Sequence, residues 1–262
     1  MRHSTRFLNI HGVSLYAAFL EPEDASQALY PTIVFLHDSL GCTDLWRDFP
    51  QKIAEQTHCP VLIYDRQGYG RSDAFGPEAR TQRYMETEAE ILGEILKSLG
   101  LEQVILFGHS DGGSIALMAA AKFPAVIKGI ITEGAHVFVE DITLQGIRTA
   151  VSLYATTNLK EKLSRYHGEK TEAVFHAWAN TWLKPEYRSW NIEHFLPQVL
   201  CPSLIIQGVN DEYGSEKQVN AIVGSVKGPS LKYMVNGAAH TPHKESSQDT
   251  LDKTLTFIHS LL

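Results

Sequence analysis

The chain has 262 residues, 44% of them hydrophobic, and a formal net charge of −7. That length supports one large α/β domain with a small insertion and a proper core. An acidic surface does not attract nucleic acid or anionic membrane, so a small-molecule substrate fits better, handled by a monomer or homodimer.

The opening MRHSTRFLNIHGVSL holds no long apolar stretch followed by a small-residue cleavage site. No later apolar run approaches the roughly 20 residues of a spanning helix. Cys42, Cys59 and Cys201 are odd in number and widely spaced, which suits reduced thiols better than a disulfide framework or a zinc site. A soluble cytoplasmic protein without a metal is expected.

In chain order, Phe7 to Ile10 and Val13 to Phe19 flank His11-Gly12, a two-residue turn, and read as a β-hairpin. Thr32 to His37, Val61 to Asp65 and Val104 to Gly108 are short apolar runs of the kind that form strands buried on both faces. Between the last two, Ile91, Leu92, Ile95, Leu96 and Leu99 recur at helical spacing and Gly100 supplies a stop. Strand and helix keep alternating: Ser114 to Lys122 as helix, Val126 to Thr132, Ser203 to Gln207 and Leu231 to Val235 as strands, Gln248 to Leu261 as helix. Such alternation predicts a parallel sheet.

The stretch from Leu144 to about Phe195 has no convincing β run but carries Tyr154, Tyr166, Phe175, Trp178, Trp182, Tyr187 and Trp190. It exceeds ordinary connections and predicts a helical cap over the sheet. The expected division is a core of residues 1–140 and 196–262 with a cap insertion of 141–195. Phe175, Trp178 and Trp182 share one helical face, either lining a pocket or anchoring the cap.

Gly108-His109-Ser110-Asp111-Gly112 satisfies G-x-S-x-G between a predicted strand and a predicted helix. A sharp turn there lifts the serine hydroxyl off the sheet, and its neighbours two positions away must be small for strand and helix to approach. A serine hydroxyl needs a base, and the base needs a third group to fix its tautomer. Asp211 follows the strand SLIIQ and His240 follows the strand LKYMV, both at strand ends suited to catalytic loops. Glu212 is the competing acid and His243 the competing base. The oxyanion hole needs a backbone N–H after TIVFLH, assigned to Ser39 with Leu40 as the alternative, and one after the nucleophile, assigned to Asp111. Candidate pocket residues are His37, Asp38, His136, Trp178 and Trp182. A neutral His240 as base predicts activity rising through roughly pH 6 to 7.

Taken together, His37-Asp38 with Gly41, DRQGYGRS from Asp65 to Ser72, GHSDGG from Gly108 to Gly113, GVND ending at Asp211 and GAAH ending at His240 resemble the α/β-hydrolase superfamily, specifically its capped serine enzymes, across nearly the whole chain. The resemblance implies the α/β-hydrolase fold: a mostly parallel eight-stranded sheet, helices on both faces and a helical cap. It implies a Ser-His-Asp triad, an acyl-enzyme intermediate, an ester as default substrate and no cofactor. Asp65 and Arg66 fall in the family's tight structural loop. Where the family usually shows His-Gly, this chain has Asp38, read as a loop aspartate capping its own backbone, with a carboxylate beside the substrate as the alternative. Relatives that open epoxides or remove halogens carry Asp where this chain has Ser110, which sets those chemistries aside. Hydrolysis of a carbon–carbon bond in a ring-fission diketone, and ligand binding without turnover, remain as alternatives.

Overall fold

The structure, a computed structural model, describes residues 1–23, 30–78 and 80–262. It opens with β1 (Arg2–Ile10) and β2 (Val13–Glu21), paired antiparallel through a tight turn at His11 and Gly12, whose φ angles are 52° and 83°. β1 starts five residues before the predicted strand. Its first six residues lie exposed at the sheet edge, so no hydrophobic alternation marks them in the sequence.

The chain continues through β3 (Thr32–Leu36), α1 (Phe49–Thr57), β4 (Val61–Tyr64), α2 (Tyr84–Ser98), β5 (Val104–His109), α3 (Asp111–Lys122) and β6 (Ile127–Glu133). Three helices follow, α4 (Asp141–Thr156), α5 (Leu159–His167) and α6 (Thr171–Trp182), with short 3-10 turns reaching Gln198. Then come β7 (Ser203–Gly208), α7 (Glu216–Ser225), β8 (Ser230–Val235), α8 (Pro242–Glu245) and α9 (Ser247–His259). The sequence reading places no helix at α1 or α7, each only about three turns long.

Among the described residues the eight strands form one sheet in the order β1-β2-β4-β3-β5-β6-β7-β8, parallel from β4 to β8 with β1 and β2 antiparallel. This is the α/β-hydrolase fold. Alternate residues of the central strands feed two cores: Val34 and Leu106 pack with α2 and α3, while Phe35 and Phe107 pack with α1 and α9. Burial on both faces explains why these strands read as continuous apolar runs. From β3 the chain steps to β4 on one side and then to β5 on the other. The switch point opens a crevice at the carboxyl ends of β3 and β5, where open α/β sheets place ligands. No helix among the described residues is long and apolar enough to cross a membrane.

Candidate active site

Ser110 sits between β5 and α3 with φ 54° and ψ −118°, a left-handed conformation that strains a residue with a Cβ. Two glycines permit the turn. A Cβ on Gly108 would lie 2.1 Å from the Gly112 carbonyl oxygen, and one on Gly112 would lie 2.0 Å from the Leu36 carbonyl oxygen. β3, β5 and α3 therefore touch backbone to backbone. The Ser110 N–H donates to the Glu133 carbonyl at 2.8 Å, which ties the turn to β6.

His240 arrives from the loop after β8 and Asp211 from the loop after β7. The Ser110 hydroxyl oxygen is 2.9 Å from His240 Nε2, and His240 Nδ1 is 2.9 Å from Asp211 Oδ1. A carboxylate only accepts, so Nδ1 carries the proton and the Nε2 lone pair faces the serine hydroxyl. Asp211 Oδ1 also accepts the N–H groups of Tyr213 at 2.8 Å and Gly214 at 3.2 Å, which fixes the carboxylate before it meets the ring. Burial alone would lower the His240 pKa, but the charge and hydrogen bond of Asp211 outweigh it and push the imidazole up to about 9. Burial raises Asp211, and the charge and hydrogen bond of His240 pull it below the ordinary carboxylate value. The window of pH 6 to 7 expected for the base therefore moves upward.

The two competitors are placed elsewhere. His243 donates from Nδ1 to Glu133 Oε2 at 2.7 Å and from its backbone N–H to Oε1 at 2.6 Å, packed against Trp46. Glu212 makes no hydrogen bond to His240 among the described residues.

The N–H of Asp111 is the first of α3 and has no intrahelical acceptor. The Asp38 carbonyl accepts from His37 Nδ1 at 2.7 Å, Arg66 Nη2 at 3.0 Å and the Gly41 N–H at 3.2 Å. In a trans peptide the next N–H points the opposite way, so the Ser39 amide is turned from those donors, and Ser39 lines the cavity over Ser110. The Leu40 N–H is taken by Asp38 Oδ2 at 3.3 Å.

That cavity measures about 80 Å³. Of the pocket residues predicted from sequence, Asp38, His136, Trp178 and Trp182 line it. His37 does not, and that expectation is corrected. It is buried beneath the loop, with Nδ1–H on the Asp38 carbonyl and Nε2 accepting the Arg66 N–H at 3.1 Å, so both nitrogens serve the backbone. Asp38 lines the cavity and caps its own loop. Burial raises its pKa, but the His109 ring, 3.7 Å from Oδ1, contributes to holding it well below the ordinary carboxylate value. Phe175 keeps an edge-on contact with Trp178 at 5.8 Å but does not line the cavity, and it stacks on Tyr154 at 3.8 Å.

Three lining residues fall outside the sequence-based expectations, Thr143, Ile147 and Tyr213, while Leu40, expected only as the alternative oxyanion donor, lines the cavity too. Thr143 and Ile147 stand four apart on α4, a spacing that was available as a signal. Tyr213 is two residues past Asp211, its ring 4.8 Å from that of His240, and its carbonyl accepts from Thr143 Oγ1 and lies 3.0 Å from His136 Nε2. Behind the turn, Trp182 Nε1–H donates to the Tyr84 hydroxyl, which donates to Asp111 Oδ2 at 2.8 Å.

A family model for the alpha/beta hydrolase fold matches residues 31–197. The chain is 32% identical over 183 residues to the serine hydrolase BPHL of Mus musculus, covering 68% of this chain; it spans 62% of that relative's length. It is 27% identical over 242 residues to a 2-hydroxy-6-oxononadienedioate/2-hydroxy-6-oxononatrienedioate hydrolase of Klebsiella pneumoniae subsp. pneumoniae, with 80% of each covered. Among solved structures, MGS-M2, an alpha/beta hydrolase enzyme from a Medee basin deep-sea metagenome library, superposes with a TM-score of 0.79 at 19% identity over 97% of both chains, a likeness of fold.

Proposed function

Because the chain belongs to the α/β-hydrolase fold family, we propose that it is a serine hydrolase that cleaves a small carboxylic ester, with Ser110 as nucleophile, His240 as base and Asp211 as the group that orients the base. The observation that carries this reading is the unbroken line from Ser110 Oγ through both ring nitrogens of His240 to Asp211, each contact 2.9 Å.

In this reading Nε2 takes the hydroxyl proton as Ser110 attacks the ester carbonyl. The Ser39 and Asp111 amides hold the developing oxyanion. His240 then gives its proton to the departing alcohol, water repeats the attack on the acyl-enzyme, and the acid leaves. Asp211 stays ionised throughout, because its role is to stabilise the imidazolium that forms between steps. No organic cofactor or metal enters the cycle.

A second reading, carbon–carbon bond hydrolysis, is supported by the Klebsiella relative, whose name describes a dioate substrate. The cavity lining favours the ester: it includes Asp38, whose carboxyl is held well below the ordinary carboxylate value, and, among the described residues, no Lys or Arg. A dianion would meet like charge there. Parallel assays with a short-chain aryl ester and a ring-fission diketone carrying two carboxylates separate the two. Higher kcat/KM for the ester supports the proposal, and preference for the diketone overturns it.

A further inference from the structure

His167 ends α5 and is 2% exposed, yet it has no part in the chemistry above. Its Nδ1 is 3.0 Å from the Gly70 N–H and its Nε2 is 3.0 Å from the Leu40 carbonyl. An amide N–H only donates and a carbonyl only accepts, so the ring is neutral with its proton on Nε2. One side chain of the helical insertion thus bridges two loops of the core. The loop holding Gly70 is itself braced by Asp65, which accepts from the N–H groups of Thr43 at 2.6 Å and Arg71 at 2.8 Å. A second tie runs alongside, from Lys170 Nζ to the carbonyls of Tyr69 and Ser72.

Leu40 adjoins Ser39 and lines the cavity. Its N–H is held by Asp38 and its carbonyl by His167, so neither peptide group flanking Leu40 is free to rotate. We infer that His167 is a positioning residue for the oxyanion loop, which couples the seating of the helical insertion over the cavity to the orientation of the Ser39 amide. This inference rests on the ester-hydrolase reading.

The bridge also confers a pH dependence of its own. A second proton on His167 would place Nδ1–H against the Gly70 N–H, two donors facing each other, and the contact would break. The groups facing the ring are Asp38 and His37 at the end of β3, Asp65 and Tyr69 in the loop after β4, and Lys170 in the following turn. Burial and Lys170 lower the His167 pKa, while the Leu40 carbonyl, Asp38 and Asp65 oppose them, and the balance lies below the ordinary imidazole value. His240 titrates on the opposite side of that value. As pH falls, log kcat/KM should decline with slope one as His240 is protonated and then drop by a further factor of about ten as His167 takes its proton and the bridge opens.

The test compares wild type, His167→Gln and His167→Leu by aryl-ester kinetics and fluorophosphonate labelling from about pH 5 to 9. Glutamine offers one donor and one acceptor but does not titrate. It should retain kcat to within about threefold at neutral pH and lose the extra step of about tenfold on the acid limb. Leucine offers neither group and should lower kcat about tenfold while moving KM far less, because it loosens an oxyanion donor. A leucine variant with wild-type kcat, or a glutamine variant that keeps the whole extra acid step, overturns the inference and leaves the hydrolase reading standing. Wild type that fails to label at Ser110 removes the reading underneath it.

Discussion

Among the described residues the hydroxyl of Ser110 is hydrogen-bonded to His240, and the two ring nitrogens of His240 are hydrogen-bonded to Ser110 and Asp211, so each member of the line has a separate signature when removed. Ser110→Ala should reduce ester turnover by roughly a millionfold while leaving the urea midpoint almost unchanged, since it deletes one oxygen from a small side chain. Steady-state kinetics beside a denaturation curve checks both halves. Asp211→Asn should lower kcat roughly a thousandfold or more, because an amide can fix the wrong tautomer of His240. It should also move the acid limb. With Asp211 in place the imidazole pKa is pushed up to about 9, so wild-type kcat/KM rises with pH between the ordinary imidazole value and that figure. Without the carboxylate charge the midpoint should fall, and a kcat/KM profile of the variant that keeps the wild-type midpoint would count against Asp211 as the cause.

The strand-to-helix turn and the helical insertion are the elements that shape the site. Gly112→Ala drives a Cβ to 2.0 Å from the Leu36 carbonyl oxygen, a backbone atom of the central strand, and should cost about 3 kcal/mol in chemical denaturation. Trp178 lines the cavity from α6, so Trp178→Ala should shift kcat/KM toward longer acyl chains, measured across a series of aryl esters, at about 3 kcal/mol of stability. What the sequence shows of these elements depends on how many constraints meet at one place. The glycines around Ser110, the buried strands and the order of Ser110, Asp211 and His240 are each forced by local packing or chain topology and can be read directly. The face each aromatic presents is not forced by spacing: Phe175, Trp178 and Trp182 share a stripe, but only the tertiary placement of Tyr154 decides that Phe175 stacks away from the cavity. His37 misleads for a related reason, since its position at the end of β3 suits a pocket while its ring is consumed by the loop beneath it. The first six residues of β1 are exposed and carry no apolar alternation. By contrast, α1 and α7 do bury short stripes, Phe49, Ile53 and Ala54 in one and Val219 and Ile222 in the other, too brief to be told from loop by spacing alone.

Across the whole molecule, histidine burial sets an expected pH dependence of stability. Burial lowers His37, His136, His167 and His243 below the ordinary imidazole value. Their contribution is present above the unfolded value of about 6.5 and is lost as pH falls below it, because the unfolded chain takes up protons that the native state refuses. His240 has the opposite sign: its contribution is complete below that value and is lost as pH rises toward 9. The melting temperature should therefore peak near neutrality and decline on both sides, and a melting temperature that stays flat or climbs on acidification from neutrality would contradict the neutral, buried state of these rings. The two halves of the sheet, the loops at the switch point and the helical insertion converge on one hydroxyl, and the central claim is that this hydroxyl is an activated nucleophile. The most direct measurement is fluorophosphonate labelling of wild type and Ser110→Ala, read by intact mass and peptide mapping. One adduct on Ser110 that is absent from the variant is the predicted result, and folded wild type that stays unlabelled, or an adduct that persists in Ser110→Ala, would contradict it.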